Sequence, residues 1–323
     1  MKKLLSGLII VLMVSLLGHS FNAEAASYEK IIYDKAVSYE KIIYDKAVNL
    51  KGVVNQSKRN DGINSKMYKT SSSVKYLGSA KKYDKKTLII TREGKTARAK
   101  WYYCKLGNTT IGWIDSRAFT NVGKPTIADT VPALWNSKKA IITTKPKNTT
   151  ATTYFFQKNS AGNWYEVRHF TSHIGKWGFD PKFSEKSSGT PVGVYRTGIA
   201  FGQKGNPGTK LTFRAITNRS YWISNSNDKS YNTWQERNSS SSADEKMKIP
   251  QYKYGMEVKY NAKRVKGKGS AVFYHVDSPK YNYTLGCVAQ SEANTKEVLK
   301  FADKNTLIVL GEESRIKTFY GIN

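Results

Sequence analysis

The chain has 323 residues, 39% of them apolar, an ordinary fraction for a globular protein and enough length for two domains. Its 53 Lys and Arg against 24 Asp and Glu leave a formal net charge of +29, which argues against a neutral partner surface and for a polyanion. With only two Cys and four His, thiol and imidazole chemistry rests on very few positions.

Residues 1–26 read as a secretory signal: Lys2 and Lys3 form the charged start, residues 4–17 the apolar core, and Ala23-Glu24-Ala25 a small-x-small cleavage site. The apolar run is short for a membrane span and no second one follows, so no transmembrane anchor is expected after signal removal. The signal carries Lys2, Lys3 and Glu24, so its loss leaves the chain strongly basic. The expected location is secreted, at the cell wall or in the medium.

An identical repeat follows, with residues 27–37 and 38–48 both reading SYEKIIYDKAV. Tyr28, Ile31, Ile32 and Val37 suit one face of a helix, while Ile-Ile-Tyr also suits a strand. Two copies are too few for a solenoid. We read residues 27–38 as a duplicated tether and the second copy as the one that packs.

Residues 39–121 read as a small all-β module, with strand candidates at 74–77, 87–91, 101–106 and 111–114 separated by Gly, Asp, Asn and Lys clusters. Leu106-Gly107-Asn108-Thr109 makes a tight turn between two of them. Residues 49–121 hold sixteen Lys and Arg against four Asp and Glu, a net of +12, densest at Lys81-Lys82 and Lys85-Lys86. A merely solvated surface usually mixes both signs. The stretch resembles a GW-type bacterial SH3 module in Asp61-Gly62-Ile63, Trp101-Tyr102-Tyr103 and Ile111-Gly112-Trp113-Ile114-Asp115. The resemblance implies an SH3-like β-barrel that binds anionic wall polymers such as lipoteichoic or teichoic acid. Lys81, Lys82, Lys85, Lys86, Trp101 and Trp113 are its candidate binding residues, the two Trp serving in the core or gating the ligand. Nucleic acid is the rival polyanion, but an exported protein rarely meets it and no recognition motif is present. Cys104 reads as a small apolar residue in a module strand. A disulfide from Cys104 to Cys287 would consume the thiol singled out below.

Gly123-Lys124-Pro125 and Val131-Pro132 break regular structure, so residues 122–137 read as a linker with the domain boundary near residue 125. Residues 138–311 are again rich in strand candidates: 140–144, 152–157, 164–171, 192–198, 256–260 and 271–275. Residues 201–250 show no clear periodicity and read as an insertion, with Tyr221-Trp222-Ile223 and Tyr231-Asn232-Thr233-Trp234 as its aromatic spots. One helix signal comes late, capped by Ser291 and striped by Val298, Leu299 and Ala302, before a strand at 306–310. Residues 312–323 are read as a tail. The expected fold class is mostly β: a small β-barrel module followed by a β-rich domain with a helix after its cysteine.

The chemistry gathers in Ala271-Val272-Phe273-Tyr274-His275-Val276-Asp277 and Tyr283-Thr284-Leu285-Gly286-Cys287-Val288. A cysteine hydrolase or transferase needs a thiol nucleophile and an imidazole that takes and returns its proton. Gly286 lets the backbone turn so that nearby N–H groups can converge on an oxyanion. His275, Thr284, Gly286 and Cys287 resemble the active-site motif of the L,D-transpeptidase (YkuD-like) catalytic domain, a strand-borne His followed by a [Ser/Thr]-x-Gly-Cys turn. Upstream, Gly189-Thr190-Pro191-Val192-Gly193-Val194-Tyr195 is similar to the Thr-Pro-x-Gly-x-[Tyr/Phe] segment of the same domain. The chain departs from many members at Leu285, Ala289 and Val276, where they carry His, Arg and Gly.

The resemblance implies that Cys287 attacks a peptidoglycan stem peptide before its terminal D-Ala, and that His275 acts as base and then acid. The Val276 carbonyl would orient the imidazole, and the Gly286 and Cys287 N–H groups in the Thr284 turn would stabilise the oxyanion. No metal or organic cofactor is implied, and His169 and His173, four apart in a strand-and-turn region, are expected not to share a face as a metal pair would. The alternative reading is a catalytically inactive binding protein of the cell-wall polymer.

Overall fold

The structure, a computed structural model, describes residues 42–55, 62–64, 76–96, 99–145, 149–160 and 162–323. The signal segment and the first copy of the repeat lie outside the described residues. Of the second copy, residues 42–48 lie in a strand, β1 (Ile42–Val54), and residues 38–41 lie outside the described residues.

β1 joins β2 (Gly62–Asn64), β3 (Tyr76–Ser79), β4 (Thr87–Thr96), β5 (Lys100–Leu106), β6 (Thr109–Asp115) and β7 (Phe119–Gly123) in one seven-stranded sheet. Its order is β3-β2-β6-β5-β4-β1-β7. Alternation along β4 and β5 turns Leu88, Ile90, Tyr102 and Cys104 inward, where they pack with Val54, Ile63, Ile114 and Phe119. Gly52 is required by close approach, because a β-carbon there would lie 2.8 Å from the Phe119 ring. The β5–β6 hairpin closes on Gly107 at φ +57°, the left-handed geometry that a two-residue turn favours.

The segment expected to be a linker is instead built into the second body. Two 3-10 turns, Ile127–Thr130 and Pro132–Leu134, bury Ala128, Val131 and Leu134 against Ala140, Ile142, Phe156 and Val309. The segment expected to be a tail also packs: the Ala133 N–H donates to the Phe319 carbonyl at 2.8 Å, and the Asn323 N–H to the Val194 carbonyl at 2.8 Å. The Tyr320 hydroxyl accepts from the Asn108 N–H of the β5–β6 turn at 3.2 Å. Lys51 of β1 adds a buried ion pair with Asp129, 2.7 Å long, and donates to the Trp164 carbonyl at 3.4 Å. The two bodies are thereby fastened through both segments that periodicity left blank.

The second body is built on β8 (Lys139–Thr144), β9 (Thr150–Lys158), β10 (Trp164–His173), β13 (Gly193–Gly202), β14 (Phe213–Ala215), β18 (Tyr254–Val258), β19 (Phe273–Val276), β20 (Val288–Gln290) and β21 (Leu307–Leu310). Their order is β14-β13-β18-β19-β20-β10-β9-β8-β21, and β13 also pairs with β21, so the sheet closes on itself. Closure leaves few exposed edges. Period-two alternation splits its residues between two sides: Ile141, Phe155, Tyr195, Met256, Tyr274, Val288 and Ile308 fill one core. The small parallel pair β11 (Phe179–Asp180) and β12 (Thr190–Pro191) lies outside this sheet.

The insertion is folded. β15 (Ser220–Trp222), β16 (Trp234–Glu236) and β17 (Glu245–Lys246) form a three-stranded sheet in the order β16-β15-β17. Trp222 and Trp234 pack with Phe201, Met247, Tyr252 and Phe273, so this small sheet covers the second side of β19. Strands of two or three residues are too short to show periodicity, which is why the sequence pattern missed them.

After β20 comes α1 (Glu292–Phe301), whose N-cap Ser291 accepts the Asn294 N–H at 3.2 Å. Glu292 sits in its first turn and Lys300 in its last, each complementing the helix dipole. Val298 and Leu299 are buried against the sheet. A short α2 (Glu313–Ile316) completes the chain and buries Ile316.

Candidate functional site

β19 and β20 run parallel, with Tyr274 opposite Val288, His275 opposite Ala289 and Val276 opposite Gln290. Cys287 immediately precedes β20, so it stands beside Phe273, two positions from the row of His275. Residues two apart share a face, which puts the Cys287 and His275 side chains diagonally across one strand pair. The Phe273 N–H donates to Cys287 Sγ at 3.4 Å, and the thiol donates to the Ala271 carbonyl at 3.3 Å. Ala271 takes φ +52°, a conformation that costs an L-residue about 1–2 kcal/mol and that aims this carbonyl at the sulfur.

His275 is 7% exposed. Its Nδ1 lies 2.8 Å from the Val276 carbonyl, which can only accept, so Nδ1 carries the proton and Nε2 keeps a lone pair. The Tyr252 ring stands edge-on to the imidazole with centroids 5.4 Å apart. Behind them, the Gln290 amide and Thr295 hydroxyl donate to the His275 carbonyl at 3.0 and 3.3 Å. Burial lowers the pKa of His275 against the opposing pull of the Val276 carbonyl and Asp277. Burial pushes the Cys287 thiol up to about 12, opposed by the Phe273 N–H. Burial thus favours the neutral form of both groups.

The turn before the cysteine is held by two threonines. Thr284 Oγ1 accepts the Gly286 N–H at 3.1 Å and donates to the Cys287 carbonyl at 2.7 Å. Thr190 Oγ1 accepts the Gly175 N–H at 2.8 Å and donates to the same Cys287 carbonyl at 3.2 Å. The two sequence motifs thus meet at one peptide group. Gly286 sits at φ +144°, and a β-carbon there would approach the Phe183 ring to 2.9 Å. The Gly286 N–H, expected to face an oxyanion, is instead occupied by the Thr284 hydroxyl.

These groups open on a cleft of about 480 Å³ lined by Glu245, Tyr252, Ala271, His275, Tyr281 and Cys287. Leu285, where the motif often carries His, is 71% exposed at the mouth. Tyr252 and Glu245 were missed at the sequence level. Tyr221-Trp222-Ile223 drew attention only for its aromatic residues, and an isolated Glu carries no signal.

Among the described residues no three His, Cys, Asp or Glu gather in a way that could hold a metal ion. His169 and His173 both lie on β10, and against expectation their spacing of four puts them on one face of that strand, but each ring is taken by a carboxylate: His169 Nδ1 lies 2.5 Å from Glu166 Oε1 and His173 Nδ1 2.9 Å from Asp277. His173 is paired with Ala289, so it shares a row with His275 on the other side of that alanine. Cys104 and Cys287 are both free thiols, and Cys104 is buried in the N-terminal core.

Of the candidate polymer-binding residues, Lys81, Lys82 and Lys85 are exposed around the turn that ends the 3-10 segment Ala80–Tyr83. Lys85 takes φ +58°, and Lys86 lies 5.6 Å over the Trp135 ring, at the junction of the two bodies. Of its two expected roles Trp113 takes the core one: it is 7% exposed and its ring lies 5.1 Å from that of Tyr103. Trp101 is half-buried, its indole N–H donating to Thr96 Oγ1 at 3.3 Å.

Residues 44–120 match the GW (Gly-Tryp) dipeptide domain, so the seven-stranded body is a GW domain. The chain is 35% identical over 119 residues to Protein Ami of Listeria monocytogenes serotype 1/2a (strain EGD / Mackaness). That match takes in 36% of this chain and spans only 12% of Protein Ami. A crystal structure of a candidate autolysin from Listeria monocytogenes aligns over 68% of this chain and 88% of that one. Its identity is 17% and its TM-score 0.25, too low to carry a likeness of fold.

Proposed function

We propose that this chain is an exported, cysteine-dependent L,D-transpeptidase that cross-links or trims peptidoglycan stem peptides and is retained at the cell wall by its GW domain. The observation that carries the reading is the diagonal placement of Cys287 and His275 on one face of β19 and β20, opening on a cleft, with the imidazole tautomer set by the Val276 carbonyl. Cys287 Sγ attacks the carbonyl that precedes the terminal D-Ala while its proton passes to His275 Nε2. The C–N bond then breaks, the proton goes to the leaving amine of D-Ala, and a thioester remains. An amine from a second stem forms a new C–N bond as the C–S bond breaks, or water takes its place. With the Gly286 N–H taken by Thr284 Oγ1, the oxyanion donor in this reading is the Cys287 N–H. The mechanism calls on no metal or organic cofactor.

Wall retention is supported by the GW domain and by the exposed charges of Lys81, Lys82 and Lys85, whose partners in this reading are lipoteichoic or teichoic acid. A second reading, a wall-polymer-binding protein without turnover, is favoured by the burial of the Cys287 thiol, which disfavours its thiolate.

Mass spectrometry of muropeptides incubated with the mature protein decides between them. The transpeptidase reading expects a covalent mass on the protein, D-Ala release and cross-linked products, all lost in Cys287→Ala with wall adhesion kept. Absence of D-Ala release from the unaltered protein would leave the binding reading alone.

A further inference from the structure

Glu245 of β17 is paired with Trp222 of β15, and the Trp222 ring lies 5.0 Å from that of Phe273, the residue that donates to Cys287 Sγ. Paired residues of adjacent strands share a face, so the insertion turns Glu245 toward the reactive pair. Its carboxyl lines the same cleft as His275 and Cys287. In a chain with 53 Lys and Arg, no basic side chain pairs with Glu245 among the described residues; its polar neighbour is the Tyr252 hydroxyl. Other carboxyls nearby are engaged: Glu185 accepts the Tyr231 hydroxyl, and Asp244 accepts the Ser224, Asn225 and Ser241 N–H groups. Burial raises the Glu245 carboxyl above its ordinary range, and its charge opposes ionisation of Cys287. A carboxylate taken from water without a counter-charge is costly, and a cation delivered by a ligand removes that cost.

We propose that Glu245 receives the ammonium group of the amine that resolves the Cys287 thioester, making it the acceptor-selecting residue of the cleft. The inference rests on the transpeptidase reading and names its acceptor class as a primary alkylammonium. Glu245 pairs with the ammonium and takes up one of its protons, leaving a neutral amine. The amine lone pair forms the C–N bond, the C–S bond breaks, and the surplus N–H proton passes through His275 to the departing sulfur. Neutralising the carboxyl in this way also removes a negative charge from beside that sulfur.

The test uses the mature chain, a stem tetrapeptide ending in D-Ala as donor and Nα-acetyl-L-lysine amide as the amine probe. Glu245→Gln keeps the shape and removes the charge. The expected result is a split of opposite sign: D-Ala release becomes faster, and aminolysis relative to hydrolysis falls about tenfold at low probe concentration, the loss of one charge-assisted contact. Aminolysis equal to that of the unaltered protein, or a parallel fall of both steps, overturns the proposal. If the unaltered protein releases no D-Ala, the transpeptidase reading has failed, and NMR titration with the same probe still decides the ammonium site. Binding lost in Glu245→Gln upholds the site, and equal binding removes it. Circular dichroism and melting of the variant separate either outcome from misfolding.

Discussion

The Phe273 backbone N–H donates to Cys287 Sγ at 3.4 Å, tying the sulfur to the strand that carries His275 two residues later. The bond ties the thiol directly to β19 and leaves the imidazole on the same face.

The first prediction concerns reactivity. With the Cys287 thiol pushed up to about 12, its alkylation by iodoacetamide between pH 6 and 8 is slower than that of a free thiol of ordinary pKa, roughly 8.5, and rises with pH. Cys104 is buried and its thiol is pushed still higher, so mass spectrometry finds a single adduct at short times. Rates at or above those of a free thiol at pH 6 would show that an imidazolium already ionises Cys287.

A second prediction follows from His275, whose pKa falls on burial. Its neutral form is favoured in the folded state, so the associated stability is fully present above the unfolded value of about 6.5 and is lost as pH falls through the lower folded value. Melting temperatures measured from pH 7 downward should fall more steeply in the unaltered protein than in His275→Gln. Parallel curves would mean that the imidazole is solvated.

Gly286→Ala tests the turn. Its φ of +144° and the 2.9 Å approach to the Phe183 ring leave no room for a β-carbon. The substitution is expected to cost about 1–3 kcal/mol in urea melts and to abolish D-Ala release by moving the peptide held by Thr190 and Thr284. Retained release would show that the two threonines do not position Cys287.

Lys51→Met tests how the two bodies are fastened. Lys51 and Asp129 are both buried, so removing the ammonium leaves a carboxylate without its counter-charge, at an expected cost of about 3–5 kcal/mol. Urea unfolding followed by tryptophan fluorescence measures it. A loss below about 1 kcal/mol, the worth of an exposed pair, would mean that water reaches the contact.

Wall retention should depend on salt. Replacing Lys81 and Lys82 by Glu reverses two exposed charges, and the variant should leave purified teichoic acid at lower ionic strength than the unaltered chain. Elution at the same salt concentration would place the polymer elsewhere on the GW domain.

The amino-acid sequence alone made legible whatever depends on local pattern. Alternation marked the long strands, Ser291 marked the start of α1, and glycine marked the turns at Gly107 and Gly286. It also singled out His275 and Cys287, because so few residues in the chain can do their chemistry. The tertiary structure decided the rest. Parallel pairing of β19 with β20 put imidazole and thiol on one face, and the small β11–β12 pair outside the sheet carried Thr190 to the Cys287 carbonyl from 97 residues away. Folding of the insertion set Glu245 at the cleft beside Tyr252, and packing of residues 122–137 and 312–323 turned an expected linker and tail into the joint between the two bodies. Periodicity reports which face of a segment leaves water, but pairing partners, burial of single charges and the ionisation of a thiol are set by neighbours distant in the chain.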